Sequence, residues 1–306
     1  MSECHPQPAE VRPAWEFTAT GTRWRLFHSG ELPETVVDRV VEAVAQDEAR
    51  WSRFREDSEL SALNRRAGRW TPVSPETFAL LELCARWMRL TGGLFTPLMG
   101  ATLAAWGYAE SLELGPAGSA TSPRPGAVGG AIELDRSRQR VRIPPGRSLD
   151  LGGVGKGWIA DRVCRLLSDL AAGHAVLVDA GGDLVCVDGG ALVAIEAVSA
   201  GPGSGILGYV RLEAGEGIAT SGFSRRSWVN GDGRAAHHLL DPRTGEPGPR
   251  THATVLASDA VTADVMAKVL ALAPERLDDC EFPALIQLDG EVRLSPRWRF
   301  VQPAVA

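Results

Sequence analysis

The chain has 306 residues, 44% of them hydrophobic, 23% charged and 6% aromatic. That balance excludes a disordered chain and is long enough for one large domain or two small ones, with about three quarters of the unfolded surface buried. Lys plus Arg total 32 against 38 Asp plus Glu, a formal charge of −6, which argues against a nucleic-acid or anionic-lipid partner because no phosphate backbone would be neutralised.

Residues 1–15 carry Glu3, Glu10 and two prolines before Arg12 but no apolar stretch. A secretory signal needs about 7–15 apolar residues after a basic start, so this segment reads as a polar tail ahead of one domain over residues 16–306. Residues 16–28 (EFTATGTRWRLFH) alternate loosely and predict an opening strand. Residues 33–51 predict a helix with Pro33 in its first turn and Val36, Val37, Val40, Val41 and Val44 at helical spacing. A second helix is expected over 75–90, closed by Gly92-Gly93. Residues 113–130 are rich in Gly, Pro, Ser and Ala and read as a flexible insertion, followed by a hairpin over 131–143. A glycine-rich turn at 150–157 then runs into an amphipathic helix ending near Gly173. Strands follow at 174–190 (interrupted by a Gly-Gly turn), 191–198, 206–214, 217–222 and 253–258, then a helix at 259–273 and a closing hairpin at 282–295. Hairpin strands mixed with helices predict an α+β fold of mostly antiparallel sheet. No run approaches the roughly 18 apolar residues of a membrane-spanning helix, so no membrane insertion is expected.

Five cysteines (Cys4, Cys84, Cys164, Cys186, Cys280) form no CxxC pair, which supports neither a disulfide framework nor a zinc knuckle and points to a reduced, cytoplasmic protein. Of the 32 basic residues 30 are Arg; the two lysines are Lys156 and Lys268. Arg-rich coding explains most of the skew, but not why these positions keep a compact ammonium, a different chemical tool from a guanidinium. Both fall in segments that carry chemistry.

The first is DLGGVGKG, residues 150–157. Its glycines allow close approach of a ligand to backbone amides, and the following helix points its positive end into the turn, which suits an anion such as a pyrophosphate. It is neither a Walker A loop nor a dinucleotide GxGxxG fingerprint, and alone it reads equally as a plain turn with a solvent-facing Lys. The second is VDAGGDL, residues 178–184, a strand ending in glycines with Asp179 and Asp183, which alone reads as an Asp-favoured β-turn. The third, HHLLDPRTGEP at 237–247, packs two His, an Asp, an Arg and a Thr onto a turn-rich loop. There His238 and Asp241 are the best acid–base candidates, and Arg243 can fork onto a phosphate. The fourth is the helix DAVTADVMAKVLAL, 259–272, in which Asp264 can serve a hard cation. Lys268 follows at i+4, so alone the pair reads as an ordinary ion pair worth about 0.3–0.5 kcal/mol. In the fifth, EDSELSALN at 56–64, Ser58 caps a short helix and Ser61 and Asn64 add polar groups.

Taken together, SELSALN, GGLFTP ahead of WGY (106–108), LDLGGVGKGWIADR, VDAGGDL, ATSG (219–222), HHLLDPRTGEP and TADVMAKVL resemble the ApbE family of FAD:protein FMN transferases, from about residue 16 to the C-terminus. The resemblance implies a T-fold-like α+β domain that binds FAD and Mg²⁺. Such enzymes move the FMN part of FAD onto a Thr or Ser hydroxyl of an acceptor flavoprotein and release AMP. It makes Asp264 the metal carboxylate, with the main-chain carbonyl of Gly155 a further ligand. Asp150, Gly153, Gly155, Lys156, Gly181, Gly182 and Asp183 would line the FAD site with Ser58, Asn64, Ser221 and Gly222. His238, Asp241, Arg243 and Thr244 would flank the pyrophosphate, with His238 or Asp241 as base and Lys156 and Arg243 offsetting charge. This chain departs from the family pattern in carrying Lys268 where many relatives have a metal-binding Thr, and Phe95-Thr96-Pro97 where an FDP is usual. Most relatives work outside the cytoplasmic membrane, whereas no export signal is visible here. Two alternatives stay open: an Mg²⁺-dependent FAD pyrophosphatase giving FMN and AMP, and a flavin-binding protein without turnover.

Overall fold

The computed structural model describes residues 15–301 except 29, 31, 110–125, 127, 171–175, 199–204 and 225. Residues 1–14 of the polar tail and most of the expected flexible insertion therefore lie outside the described residues. In chain order the elements are β1 (Trp15–Ala19), β2 (Thr22–His28), α1 (Glu34–Trp51), α2 (Glu59–Arg65), β3 (Thr71–Pro72), α3 (Pro75–Leu90), α4 (Gly100–Ala105), β4 (Glu133–Asp135), β5 (Arg140–Arg142), α5 (Gly155–Leu170), β6 (Val176–Ala180) and β7 (Leu184–Asp188). The second half adds β8 (Ala191–Glu196), β9 (Ile206–Leu212), β10 (Gly217–Gly222), β11 (Ser227–Val229), β12 (Ala235–His237), β13 (Leu240–Asp241), β14 (Glu246–Pro247), β15 (Thr251–Ala257), α6 (Ala260–Leu272), β16 (Ala284–Leu288) and β17 (Glu291–Leu294).

Eight strands form the main sheet in the order β1-β2-β6-β7-β10-β15-β16-β17, and every pairing is antiparallel. This is the expected α+β architecture. Alternation along the strands divides the sheet into two faces. Ala219 of β10 with Ala253 and Val255 of β15 packs on α6 through Ala263, Ala267 and Leu270. Ile218 and Leu285 point the other way, onto Ile195, Val210 and Leu212 of the β8–β9 hairpin and onto Trp298. α1, α5 and α6 cover the helical face, and Trp24 and Trp106 are fully buried in the core.

The opening segment is a hairpin and not the single strand that its alternation predicts. Thr20 and Gly21, both at positive φ (53° and 63°), make a two-residue turn between Ala19 and Thr22, the geometry that matches the twist of paired strands. α1 keeps Val36, Val37, Val40 and Val44 buried and leaves Val41 exposed. α3 spans the expected residues, capped by Ser74. The helical face is locked where α5 crosses α6: a Cβ on Gly157 would lie 2.8 Å from the Ala260 carbonyl oxygen. The Asp161 carboxylate of α5 accepts the Ala260 and Val261 N–H groups at 2.8 and 3.0 Å, and Asp259 accepts that of Thr262 at 2.6 Å. The start of α6, and with it Asp264 one turn later, is thereby fixed relative to the glycine-rich turn. No helix among the described residues is long and apolar enough to cross a membrane.

Candidate functional site

Two adjoining cavities open beside that helix crossing. The smaller, about 580 Å³, is lined by apolar and aromatic groups including Trp51, Phe54, Phe95, Met99, Leu103 and Tyr108, together with Asp150, Gly153 and Gly155. The larger, about 1160 Å³, runs past Gly181, Gly182, Asp183, Ser221, Gly222 and Asp264 to the β8 strand. They share Gly21, Gly152, Lys156, Arg226, His238 and Lys268. The two therefore form one cleft with a cationic waist, and both lysines of the chain are at it.

The glycine-rich turn is held from outside the cleft. Asn64 on α2 clamps the Leu149 backbone, accepting from its N–H at 2.7 Å and donating to its carbonyl at 3.0 Å. Ser58 caps α2, its hydroxyl accepting from Ser61 N–H at 3.0 Å. Neither residue lines the cleft; both position the turn. Asp150 accepts the Gly152 N–H at 2.8 Å and pairs with the Arg53 guanidinium. That guanidinium lies over the rings of Phe54 and Tyr108 at 4.1 and 4.6 Å and donates to the Tyr108 carbonyl at 2.6 Å. Arg53 escaped the sequence reading because it sits in a polar run with nothing local to mark it; its partners come from residues near 108 and 150.

The VDAGGDL segment divides its two acids. Asp179 builds the turn, accepting the Gly182 N–H at 2.7 Å and pairing with Arg25 across β2. Gly181 has φ +75°, and a Cβ there would stand 2.0 Å from the Thr22 hydroxyl, so the close approach of the two hairpin turns requires glycine. Asp183, buried, pairs with Lys156. The third motif is divided too. His238 lines both cavities, while Asp241, Arg243 and Thr244 line neither. Arg243 forks onto Asp241, with Nη2–H donating to Oδ2 at 2.7 Å, and Asp241 also accepts the Arg243 N–H at 2.8 Å. Asp241 thus closes a turn that Trp106 ties to the core by donating to the Gly245 carbonyl at 2.8 Å. Burial, with the cationic neighbours Arg226 and Lys268 adding to it, pushes the His238 imidazole down to about 3. The ring is neutral at pH 7. Its Nδ1 lies 3.4 Å from the Arg226 carbonyl oxygen; with the proton there, Nε2 keeps a free lone pair.

The family resemblance implies a divalent cation at Asp264. One observation favours it: Asp264 Oδ2 is buried and has no hydrogen-bond partner. The donor set is otherwise unsuited. Lys268 pairs with Oδ1 of the same carboxylate. No group of three or more His, Cys, Asp or Glu side chains suited to a metal exists among the described residues. Gly155 opens α5, so its carbonyl is engaged in the helix's own bonding. A doubly charged ion on Oδ2 would lie roughly 5 Å from the ammonium and be repelled by on the order of 6 kcal/mol at an effective dielectric of about 20. With Lys268 in place, these residues do not fit a resident Mg²⁺.

Comparison with known proteins agrees with this architecture. The ApbE family model matches residues 20–279. A FAD:protein FMN transferase of Treponema pallidum is 29% identical over 279 residues, covering 81% of this chain and 75% of the relative. One from Klebsiella pneumoniae is 28% identical over 294 residues, covering 88% of this chain and 81% of the relative. Among solved structures, the ApbE protein of Thermotoga maritima superposes with a TM-score of 0.80 at 25% identity, covering 92% of this chain and 96% of that one. The flavin transferase ApbE of Vibrio cholerae shares the fold with a TM-score of 0.76 at 22% identity, covering 94% and 98%. Matched in sequence over most of its length and in fold over nearly all of it, the chain belongs to the ApbE family.

Proposed function

We propose that this protein transfers the FMN part of FAD to a Thr or Ser hydroxyl of an acceptor flavoprotein and releases AMP. The observation that carries the reading is the cleft itself: two chambers, one rich in aromatic groups, meet at a waist bearing Lys156, Lys268 and Arg226. FAD has the matching shape, two flat ring systems joined by a diphosphate. In the reaction the acceptor oxygen bonds to the FMN-side phosphorus, and the bond from that phosphorus to the bridging oxygen breaks. AMP departs with the bridging oxygen. Charge grows on that oxygen, where two ammonium groups and a guanidinium offset it, and the N-terminal end of α5 adds a favourable dipole.

The hydroxyl proton goes to His238 Nε2. The same cationic neighbours that help depress this imidazole in the free protein are offset once the diphosphate sits between them. Binding FAD therefore raises the affinity of His238 for a proton at the moment one is released. The placement of Asp241 supports a structural role for it and leaves the base role to His238. Magnesium dependence, which the family resemblance implies, is the part of the reading that the Asp264–Lys268 pair does not support, and no step here uses a metal. The free Cys84, Cys164, Cys186 and Cys280 support the reading of a reducing, cytoplasmic compartment.

Incubation with FAD and a Thr-containing acceptor peptide tests the proposal. Transfer gives AMP together with peptide carrying covalent FMN, read by mass spectrometry. AMP with free FMN and unmodified peptide would make the protein an FAD pyrophosphatase, and tight FAD binding without AMP would make it a flavin-binding protein.

A further inference from the structure

Lys268 is built into the waist rather than projecting into solvent. Its ammonium pairs with the Asp264 carboxylate, whose side chain is 1% exposed, while the lysine side chain itself is 12% exposed. Its stem runs beside Gly153, where a Cβ would already stand 3.3 and 3.4 Å from Lys268 Cδ and Cε and 3.5 Å from the Phe95 ring. A side chain at 153 would crowd the lysine, so the glycine-rich turn reserves its space. Lys268 also lines both chambers. One buried acid therefore already has its counter-charge, delivered by a covalently attached cation.

We propose that Lys268 is the resident cation of the transfer site: its ammonium, paired with Asp264 Oδ1, supplies the positive charge that a divalent ion on Oδ2 would bring, and the protein acts on FAD without a bound metal. This rests on the transferase reading for its functional half only. A protonated lysine offers N–H donors to phosphate oxygens as well as charge, and unlike Mg²⁺ it is present at fixed stoichiometry whatever the metal supply. The Asp264–Lys268 pair fixes where that charge sits, and the Lys156–Asp183 pair does the same for the other lysine of the waist.

The test has two arms. In the first, Mn²⁺ is titrated into the EDTA-treated protein without FAD, and free Mn²⁺ is read by electron paramagnetic resonance. Wild type is expected to show no stoichiometric binding; Lys268→Ala, which leaves Asp264 unpaired, is expected to bind at least about tenfold more tightly than wild type and to lose that site again when Asp264→Ala is added. In the second, AMP release from FAD is followed in EDTA and in Mg²⁺. Wild type is expected to agree within about twofold in the two, while Lys268→Ala falls at least about tenfold in EDTA and recovers with Mg²⁺. One Mn²⁺ bound per wild-type chain, or wild-type turnover that needs Mg²⁺, overturns the proposal, and these wild-type measurements decide it even if the variant fails to fold. Absence of AMP under both conditions would instead overturn the transferase reading, with the Mn²⁺ titration still deciding the cation.

Discussion

At the scale of single residues, the two halves of the HHLLDPRTGEP loop make opposite predictions. His238 faces the waist and its imidazole is pushed down to about 3, from an ordinary value of 6.5. The profile of kcat/KM against pH, which reports the free enzyme, should therefore show no histidine inflection between pH 7.5 and 5. An inflection near 6.5 would mean that burial and the neighbouring cations do not act on this ring. The same shift links to stability. Between pH 6.5 and about 3 the unfolded chain takes up a proton that the folded chain refuses, so the contribution is fully present above 6.5 and is lost as pH falls. His238→Gln should flatten that acid limb in denaturant titrations. Arg243, by contrast, is spent on Asp241 and half exposed. Arg243→Gln should change AMP release by less than about threefold and stability by no more than about 1 kcal/mol, whereas Arg226→Gln should slow release by at least about tenfold, because a charge at the diphosphate is lost. A large loss from Arg243→Gln together with an indifferent Arg226→Gln would reverse the assignment.

At the scale of elements, what the sequence revealed and what it hid separate along one line. Periodic helices were legible: α1, α3 and α6 carry apolar residues at helical spacing between capping and closing residues, and their bounds fall within a residue of expectation. The hairpins of VDAGGDL and of the closing strands were legible from glycine and alternation. The β1–β2 hairpin was not, because its turn residue Thr20 is not one that marks positive φ. Which motif residues face the cleft was also hidden. Ser58 and Asp179 are spent on N–H groups three residues along the chain, whereas Asn64 is spent on the Leu149 backbone, 85 residues away, which only the fold brings near. Asp161 shows the same dependence. Nothing in GWIADRV announces a helix cap, yet its carboxylate holds the first two N–H groups of α6 from 99 and 100 residues away in sequence. Asp161→Ala should cost about 2 kcal/mol, the upper range for losing a cap, because two buried donors are orphaned at once. It should also lower AMP release, since the start of α6 sets where Asp264 and Lys268 stand. Thermal unfolding beside turnover checks both; an unchanged midpoint would show that Asp259 alone caps the helix.

At the scale of the whole molecule, the cleft has no single owner. Its walls come from the β1–β2 turn, the end of α1, the segment before α4, the turn into α5, the β6–β7 turn, the end of β10, the 238–242 segment and α6. A ligand that spans both chambers therefore ties together parts of the chain that are far apart in sequence, and its binding should register as global stability. At FAD near 100 times its dissociation constant the gain is about 2.7 kcal/mol, or roughly 5 °C in the unfolding midpoint for a domain of this size. Riboflavin carries the same ring without the diphosphate, so at equal concentration it fills one chamber and leaves the waist empty. If Lys156, Lys268 and Arg226 hold the diphosphate, riboflavin should raise the midpoint by less than half as much, and the advantage of FAD should shrink in Lys156→Ala and at high salt as screening weakens those contacts. Equal protection by riboflavin and FAD would place the affinity in the aromatic chamber alone, and the waist would then be no more than a passage between two cavities.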